Sequence, residues 1–177
     1  KYKLPKIIKI NYKLFKDVDV IFTSLPNGES QKIAKKLLKK NIMIDLSADF
    51  RLKNSKIYNK YYGIKHISLN NLKKSVYGLS EINKKNLSKA KIIACPGCYP
   101  TSILLPLFPL IKKNLIDFKN IIIDSKSGFS GAGRGVHKKF KNKNLYGSTS
   151  AYGIASHRHN AEIQQELGYV KKNIEFT

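Results

Sequence analysis

Between Asp17 and Leu46 the chain switches between two apolar patterns. Val18-Asp19-Val20-Ile21-Phe22 is a short apolar run that ends at Ser24-Leu25-Pro26-Asn27-Gly28, which predicts a buried strand and its exit turn. Ile33, Ala34, Leu37 and Leu38 then share one face at helical spacing while lysines fill the other, and Asn41 stops that pattern. Ile42-Met43-Ile44-Asp45-Leu46 reads as a second strand, again almost wholly apolar. Apolar strands on either side of a helix predict a parallel sheet covered on both faces, so the first half is α/β.

Ser47 to Leu52 leaves the carboxyl end of the second strand, where open α/β sheets bind ligands, and Arg51 lies there. The stretch from Tyr58 to Asn86 has weak periodicity and predicts loops with a short helix. Ala90-Lys91-Ile92-Ile93-Ala94 makes a third strand leading into the turn Pro96-Gly97-Cys98. Pro100 suits the first turn of the helix that follows, and a kink is expected at Pro106 or Pro109. Ile121-Ile122-Ile123 predicts another strand, which runs into a glycine-serine loop. Asn160 then reads as the N-cap of a helix from about Ala161 to Leu167, with Gly168 just past its end. The chain starts at Lys1 and stops in the alternating run Asn173 to Thr177, the pattern expected of an internal piece of a longer protein.

Charge changes this picture less than its size suggests. A formal net charge of +23 would attract nucleic acid or an anionic membrane. The lysines, however, are spread through every segment, helix faces such as Lys35-Lys36 included, which points to compositional bias and to neither partner. Arginine is the exception: Arg51, Arg134 and Arg158 each lie in or beside a motif, and a guanidinium suits planar, bidentate recognition of a carboxylate or phosphate. Two cysteines are too few for a disulfide framework and fit a reducing, cytoplasmic setting. The most apolar stretch, Ile103 to Ile111, is short and broken by prolines, so it cannot span a bilayer.

Three short segments carry the candidate chemistry. Cys98, in Cys95-Pro96-Gly97-Cys98-Tyr99-Pro100, sits at a helix start, where exposed N–H groups and the macrodipole favour thiolate and hence a nucleophile. Cys95-Pro96-Gly97-Cys98 also matches the Cys-x-x-Cys of redox and zinc sites, although His157 and His159 are poorly spaced to complete a zinc set. Ser127-Gly128-Phe129-Ser130-Gly131-Ala132-Gly133 is a backbone that can approach a phosphate or a nicotinamide closely, and Arg134 follows it. His157 and His159 precede a helix N-terminus, whose positive end disfavours imidazolium, so either can work as a neutral base. His66 and His137 have no such setting and read as surface histidines.

Taken in order, Leu25-Pro26-Asn27-Gly28, Leu46-Ser47-Ala48-Asp49-Phe50-Arg51-Leu52, Val76-Tyr77-Gly78-Leu79-Ser80-Glu81, Pro96-Gly97-Cys98-Tyr99-Pro100-Thr101, Lys126 to Arg134 and His157-Arg158-His159 resemble the N-acetyl-gamma-glutamyl-phosphate reductase family of the aspartate-semialdehyde dehydrogenase superfamily. The resemblance implies an α/β chain. Residues 1–97 would be the C-terminal part of a Rossmann domain for NADP(H), and 98–177 part of an α+β catalytic and dimerisation domain. It further implies reduction of a small-molecule acyl phosphate in arginine biosynthesis and a homo-oligomeric full-length protein. Cys98 would be the nucleophile and His157 the proton shuttle. Arg51, Arg134, Arg158 and His159 would hold substrate, and Leu25, Pro26, Ser127, Gly128, Ser130 and Gly131 would contact the cofactor. Two features depart from the family: Cys95 stands where asparagine is frequent, and no Gly-x-Gly-x-x-Gly turn for the pyrophosphate opens the chain. Two rival readings stay open, a related reductase of carrier-bound aminoadipyl phosphate and a non-catalytic basic module for RNA or membrane.

Overall fold

Four short parallel strands form the one sheet among the residues described by the computed structural model, which are 4–117, 121–132, 147–154 and 156–168. They are β1 (Val20–Thr23), β2 (Ile42–Asp45), β3 (Val76–Tyr77) and β4 (Ile92–Ala94), in the spatial order β1-β2-β4-β3. Val20 pairs with Ile42, Met43 with Ile92 and Val76 with Ile93. The chain divides into two compact units, Lys1–Thr101 and Ser102–Thr177.

In the first unit, alternation along the strands sends Met43, Ile92 and Ala94 to one face, where Ile33 and Ala34 of α1 (Glu29–Ala34), Leu72 of α3 (Leu69–Lys74), Phe15 and Phe50 complete the core. Each such large side chain contributes about 1.5–3 kcal/mol on burial. Among the described residues, the expected cover is seen on one face of β1. Phe22, on the opposite face, is 69 % exposed, because these helical residues pack on the Met43 face. An apolar run reads the same whichever of its faces is covered. Asn41, which marks the end of the helical pattern, is a buried clamp: its Nδ2 donates to the carbonyls of Phe15 (2.9 Å) and Val18 (2.6 Å), and its Oδ1 accepts from the Leu38 N–H (2.8 Å).

The segment read as loops with one short helix holds β3 and three helices, α2 (Ser55–Tyr62), α3 and α4 (Ser80–Leu87). Caps, more than periodicity, define α2. The Asn54 side chain accepts from the N–H groups of Lys56 and Ile57, and Gly63, at φ 68°, closes the other end. The helix α5 (Cys98–Lys112) starts in the first unit and ends in the second; it runs through Pro106 and Pro109, both on its exposed side, while Ile103, Leu104 and Ile111 are buried. Ile121–Ile123 forms no strand: no described residue pairs with it, and Ile122 is 90 % exposed. The last helix among the described residues, α6 (His159–Gly168), begins two residues before the expected start, so Asn160 lies inside it and is not its N-cap, and Gly168 is its last residue. Among the described residues no helix is long and apolar enough to cross a membrane.

His66 is not a surface residue. It is 3 % exposed, with its ring edge-on to Phe50 and Tyr58. Its Nδ1 accepts the Ser68 N–H (3.2 Å), which leaves the proton of the neutral ring on Nε2 to be donated to the Asp49 carbonyl (2.9 Å). Burial lowers its pKa below the ordinary 6.5, against a smaller opposing effect of Asp49. A lowered native value means that the unfolded chain binds more protons below about pH 6.5. The contribution of His66 to stability is therefore complete above that pH and is lost as the pH falls from there through the native value. Urea unfolding of wild type and His66→Asn across about pH 7.5 to 5 should show a steeper acid loss in the wild type; parallel slopes would refute this account.

Gly78 is needed for close approach. A Cβ there would lie 2.9 Å from Ile93 Cγ2 and 3.0 Å from the Ala94 carbonyl oxygen, which itself accepts the Gly78 N–H (2.8 Å). Gly78→Ala should cost about 1–3 kcal/mol of overpacking, read as a lower denaturant midpoint with an unchanged m-value; a loss under 0.5 kcal/mol, of order surface substitutions, would show that β4 yields freely.

Candidate active site at the carboxyl edge

Because every strand is parallel, the turns after β1, β2 and β4 leave from one edge of the sheet. That edge carries Leu25 and Pro26 after β1, Arg51 after β2 and Cys98 after β4. Two buried carboxylates hold these turns. Asp45 accepts from Thr23 Oγ1 (2.8 Å), the Ser47 N–H (3.0 Å) and Ser47 Oγ (2.9 Å). Asp49 accepts from the N–H groups of Gly28 (2.7 Å) and Gln31 (3.2 Å) and from the Tyr58 hydroxyl (2.6 Å). Burial and the Asp49 carboxylate push the Tyr58 phenol far up, so it stays protonated and donates. Leu25 and Pro26 remain exposed between these anchors. Arg51 is buried, and one guanidinium nitrogen donates to the Leu46 carbonyl (2.9 Å).

The two thiols differ in environment. Cys98 is exposed at the first residue of α5, and the preceding Gly97 carbonyl accepts both the N–H (3.0 Å) and the Oγ–H (2.8 Å) of Thr101. Cys95 is half-buried, and its N–H donates to the Asp45 carbonyl (2.8 Å). Burial raises the Cys95 pKa, the Asp45 charge adds to this, and Arg51 opposes it. Cys95 is thus held as a neutral thiol. Both cysteines are free, and among the described residues no three His, Cys, Asp or Glu side chains cluster as a metal site would require.

The second unit holds the histidines and the glycine-serine loop. His157 Nδ1 accepts the His159 N–H (3.2 Å), so the neutral ring carries its proton on Nε2. Its ring lies edge-on to Tyr152 (5.4 Å) and to His159 (4.8 Å). The His157 pKa is lowered, first by burial and then by the Arg158 charge. Arg158 is exposed and His159 buried. The exposed stretch Ser127–Gly131 turns into a 3-10 helix (Phe129–Ala132), in which the Gly131 N–H donates to the Gly128 carbonyl (2.9 Å). Arg134 and His137 lie outside the described residues.

Several contributors were missed from the sequence. Asp49 was quoted only as part of a motif, and its capping of α1 spans 21 residues, which no local pattern reveals. Gly153, at φ 61°, packs against His157: a Cβ there would lie 3.1 Å from the ring's Cδ2. Glu162 and Glu166, one helical turn apart on α6, are buried beside Ile163 and Leu167. Gly153 after Tyr152 is a turn signal, whereas no local pattern marks the two glutamates as buried.

The family described as semialdehyde dehydrogenase, NAD binding domain, matches residues 2–90, and that described as semialdehyde dehydrogenase, dimerisation domain, matches residues 98–177. The chain is 47% identical to a protein named probable N-acetyl-gamma-glutamyl-phosphate reductase, chloroplastic, of Arabidopsis thaliana, over 99% of this chain and 44% of that protein. It is 47% identical to the N-acetyl-gamma-glutamyl-phosphate reductase of Alkaliphilus metalliredigens over 86% of this chain and 44% of that protein. For the protein of the same name from Clostridium novyi the identity is 48%, over 92% of this chain and 48% of that protein. The chain spans about half the length of the curated relatives it matches. With a parallel sheet whose turns carry the expected motifs, and with sequence identity of this order over nearly its whole length, the chain belongs to the semialdehyde dehydrogenase family.

Proposed function

We propose that the full-length protein reduces N-acetyl-glutamyl 5-phosphate to N-acetyl-glutamate 5-semialdehyde and phosphate, a step of arginine biosynthesis. The observation that carries this reading is the exposed Cys98 thiol at the first residue of α5, on the carboxyl edge of the parallel sheet. In it, residues 1–97 are the C-terminal part of the cofactor domain and 98–177 part of a catalytic domain that pairs with a second copy. The names of the relatives favour the acetylglutamyl substrate over an aminoadipyl one. Free thiols suit a reducing compartment such as cytoplasm.

The residues fit NADP(H) in two places. The exposed Leu25-Pro26 turn offers apolar surface to a flat ring, and the exposed Ser127, Gly128, Ser130 and Gly131 offer polar groups and backbone. The α1 N-terminus is occupied by the Asp49 carboxylate, so it is not where a phosphate sits. When bound, NADPH supplies a hydride. Cys98 attacks the acyl carbon; a C–S bond forms, the C–O bond to phosphate breaks, and phosphate leaves with that electron pair. After reduction of the thioester, the Nε2–H of His157 donates a hydrogen bond to the oxyanion of the tetrahedral thiohemiacetal. As that oxyanion re-forms the C=O bond, the C–S bond breaks and releases aldehyde and Cys98 thiolate. Arg158, with Arg51, Arg134 and His159, holds the substrate carboxylate or the leaving phosphate.

In the complete protein, assayed by phosphate-dependent NADP reduction with N-acetylglutamate 5-semialdehyde, Cys98→Ala should lower kcat/KM by at least about 10³-fold while Cys95→Ala stays within about threefold. A folded, inactive wild type would overturn the acetylglutamyl assignment. Independently of turnover, iodoacetamide at neutral pH should alkylate Cys98 at least about tenfold faster than Cys95, as peptide mass analysis would show; equal rates would contradict the contrast between the two thiols.

A further inference from the structure

Asp49 lies on the turn after β2, fully buried, with its side chain directed back to the connection between β1 and α1. Its Oδ1 accepts the Gly28 N–H at 2.7 Å and the Tyr58 O–H at 2.6 Å, and its Oδ2 accepts the Gln31 N–H at 3.2 Å. Asp49 and its donors are themselves held in place. Tyr58 OH receives the Gln31 Nε2–H at 3.2 Å, Gln31 Oε1 receives the Ile67 N–H at 2.7 Å, and the Asp49 carbonyl receives the His66 Nε2–H at 2.9 Å. Gly28 stands at φ 93° as the N-cap of α1, a backbone conformation only glycine adopts readily, and its own side offers no capping group. The cap comes from Asp49 instead.

The consequence concerns the four residues between the anchors. Thr23, before the turn, is tied through Oγ1 to Asp45 (2.8 Å), and Gly28, after it, is tied to Asp49 (2.7 Å). Both carboxylates belong to the same short segment that carries Arg51. Leu25 and Pro26 are therefore exposed side chains on a backbone fixed at both ends, an apolar surface formed before any ligand arrives. We propose that Asp49 is a positioning residue for the dinucleotide: by bonding Gly28 and Gln31 from below, it sets the height and angle of the Leu25-Pro26 turn against the cofactor's ring, without touching the cofactor. This rests on the reading of Leu25 and Pro26 as cofactor contacts. Loosening the anchor costs binding, because the turn must then be ordered by the ligand, and leaves the reacting carbon and Cys98 unaffected.

The test uses the complete protein with Asp49→Asn, Tyr58→Phe and Pro26→Gly. Asparagine keeps one acceptor and places an amide N–H₂ where an acceptor is needed. The Kd for NADPH, read by nicotinamide fluorescence, and the KM for NADPH should rise about tenfold, the worth of one charged hydrogen bond, with kcat at saturating NADPH and the KM for acyl phosphate unchanged. Tyr58→Phe, which leaves the backbone bonds of Asp49 in place, should move the same two constants about threefold; it carries the test alone if Asp49→Asn does not fold. A purely structural role would lower kcat in proportion to folded protein at unchanged Kd, and that result overturns the proposal. Pro26→Gly separates the two layers. If it weakens NADPH binding and neither Asp49→Asn nor Tyr58→Phe does, only the role of Asp49 falls; if NADPH binding ignores Pro26→Gly as well, the cofactor reading of the turn falls and this proposal with it.

Discussion

Burying a carboxylate is costly unless its oxygens are bonded, and the carboxyl edge of the sheet is organised by that constraint. Asp45 and Asp49 are both fully buried, and each is satisfied by groups from different turns. Because no single turn supplies all the donors, the turns after β1 and β2 can only close together. Tyr58, Gln31 and His66 are then buried for the same reason, as the polar shell that makes the Asp49 position tolerable. The position of Arg51, two residues further on, and the exposed state of Leu25 and Pro26 both follow from it.

The same edge explains how two cysteines three residues apart acquire different chemistry. Cys95 directly follows β4 beside Asp45, and burial together with that charge favours the neutral thiol. Cys98, past the Pro96-Gly97 turn, is exposed at a helix start. A motif that could be read as a redox pair is therefore asymmetric. Gly78 sets the approach of β3 to the end of β4, which delivers the turn.

In the second unit, the arrangement around His157 turns on a backbone bond. The His159 N–H on Nδ1 selects the tautomer with the proton on Nε2, and Gly153 gives the ring room. A lowered pKa keeps that ring neutral at physiological pH, with Nδ1 engaged and the Nε2–H left as a hydrogen-bond donor.

Much of the frame was legible in the chain. Apolar runs located β1, β2 and β4 to within about two residues, as boundary accuracy from patterns allows, and the turn residues Pro26, Gly28, Pro96 and Gly97 marked where chemistry leaves the sheet. Family membership was legible from six ordered motifs. The helices from Ser55 to Leu87 were not, because caps such as Asn54 and Gly63 stabilise them where the apolar pattern is weak. A strand at Ile121–Ile123 was expected, yet a strand exists only through a partner, which a run of isoleucines does not specify. The sequence by itself determined element type and the identity of the reactive side chains, since periodicity and side-chain chemistry are local properties. Only the tertiary structure decided that His66 is buried and that Asp49 caps a helix 21 residues earlier. Those outcomes depend on which distant groups meet, and burial and hydrogen bonding at long range leave no periodic trace in the chain.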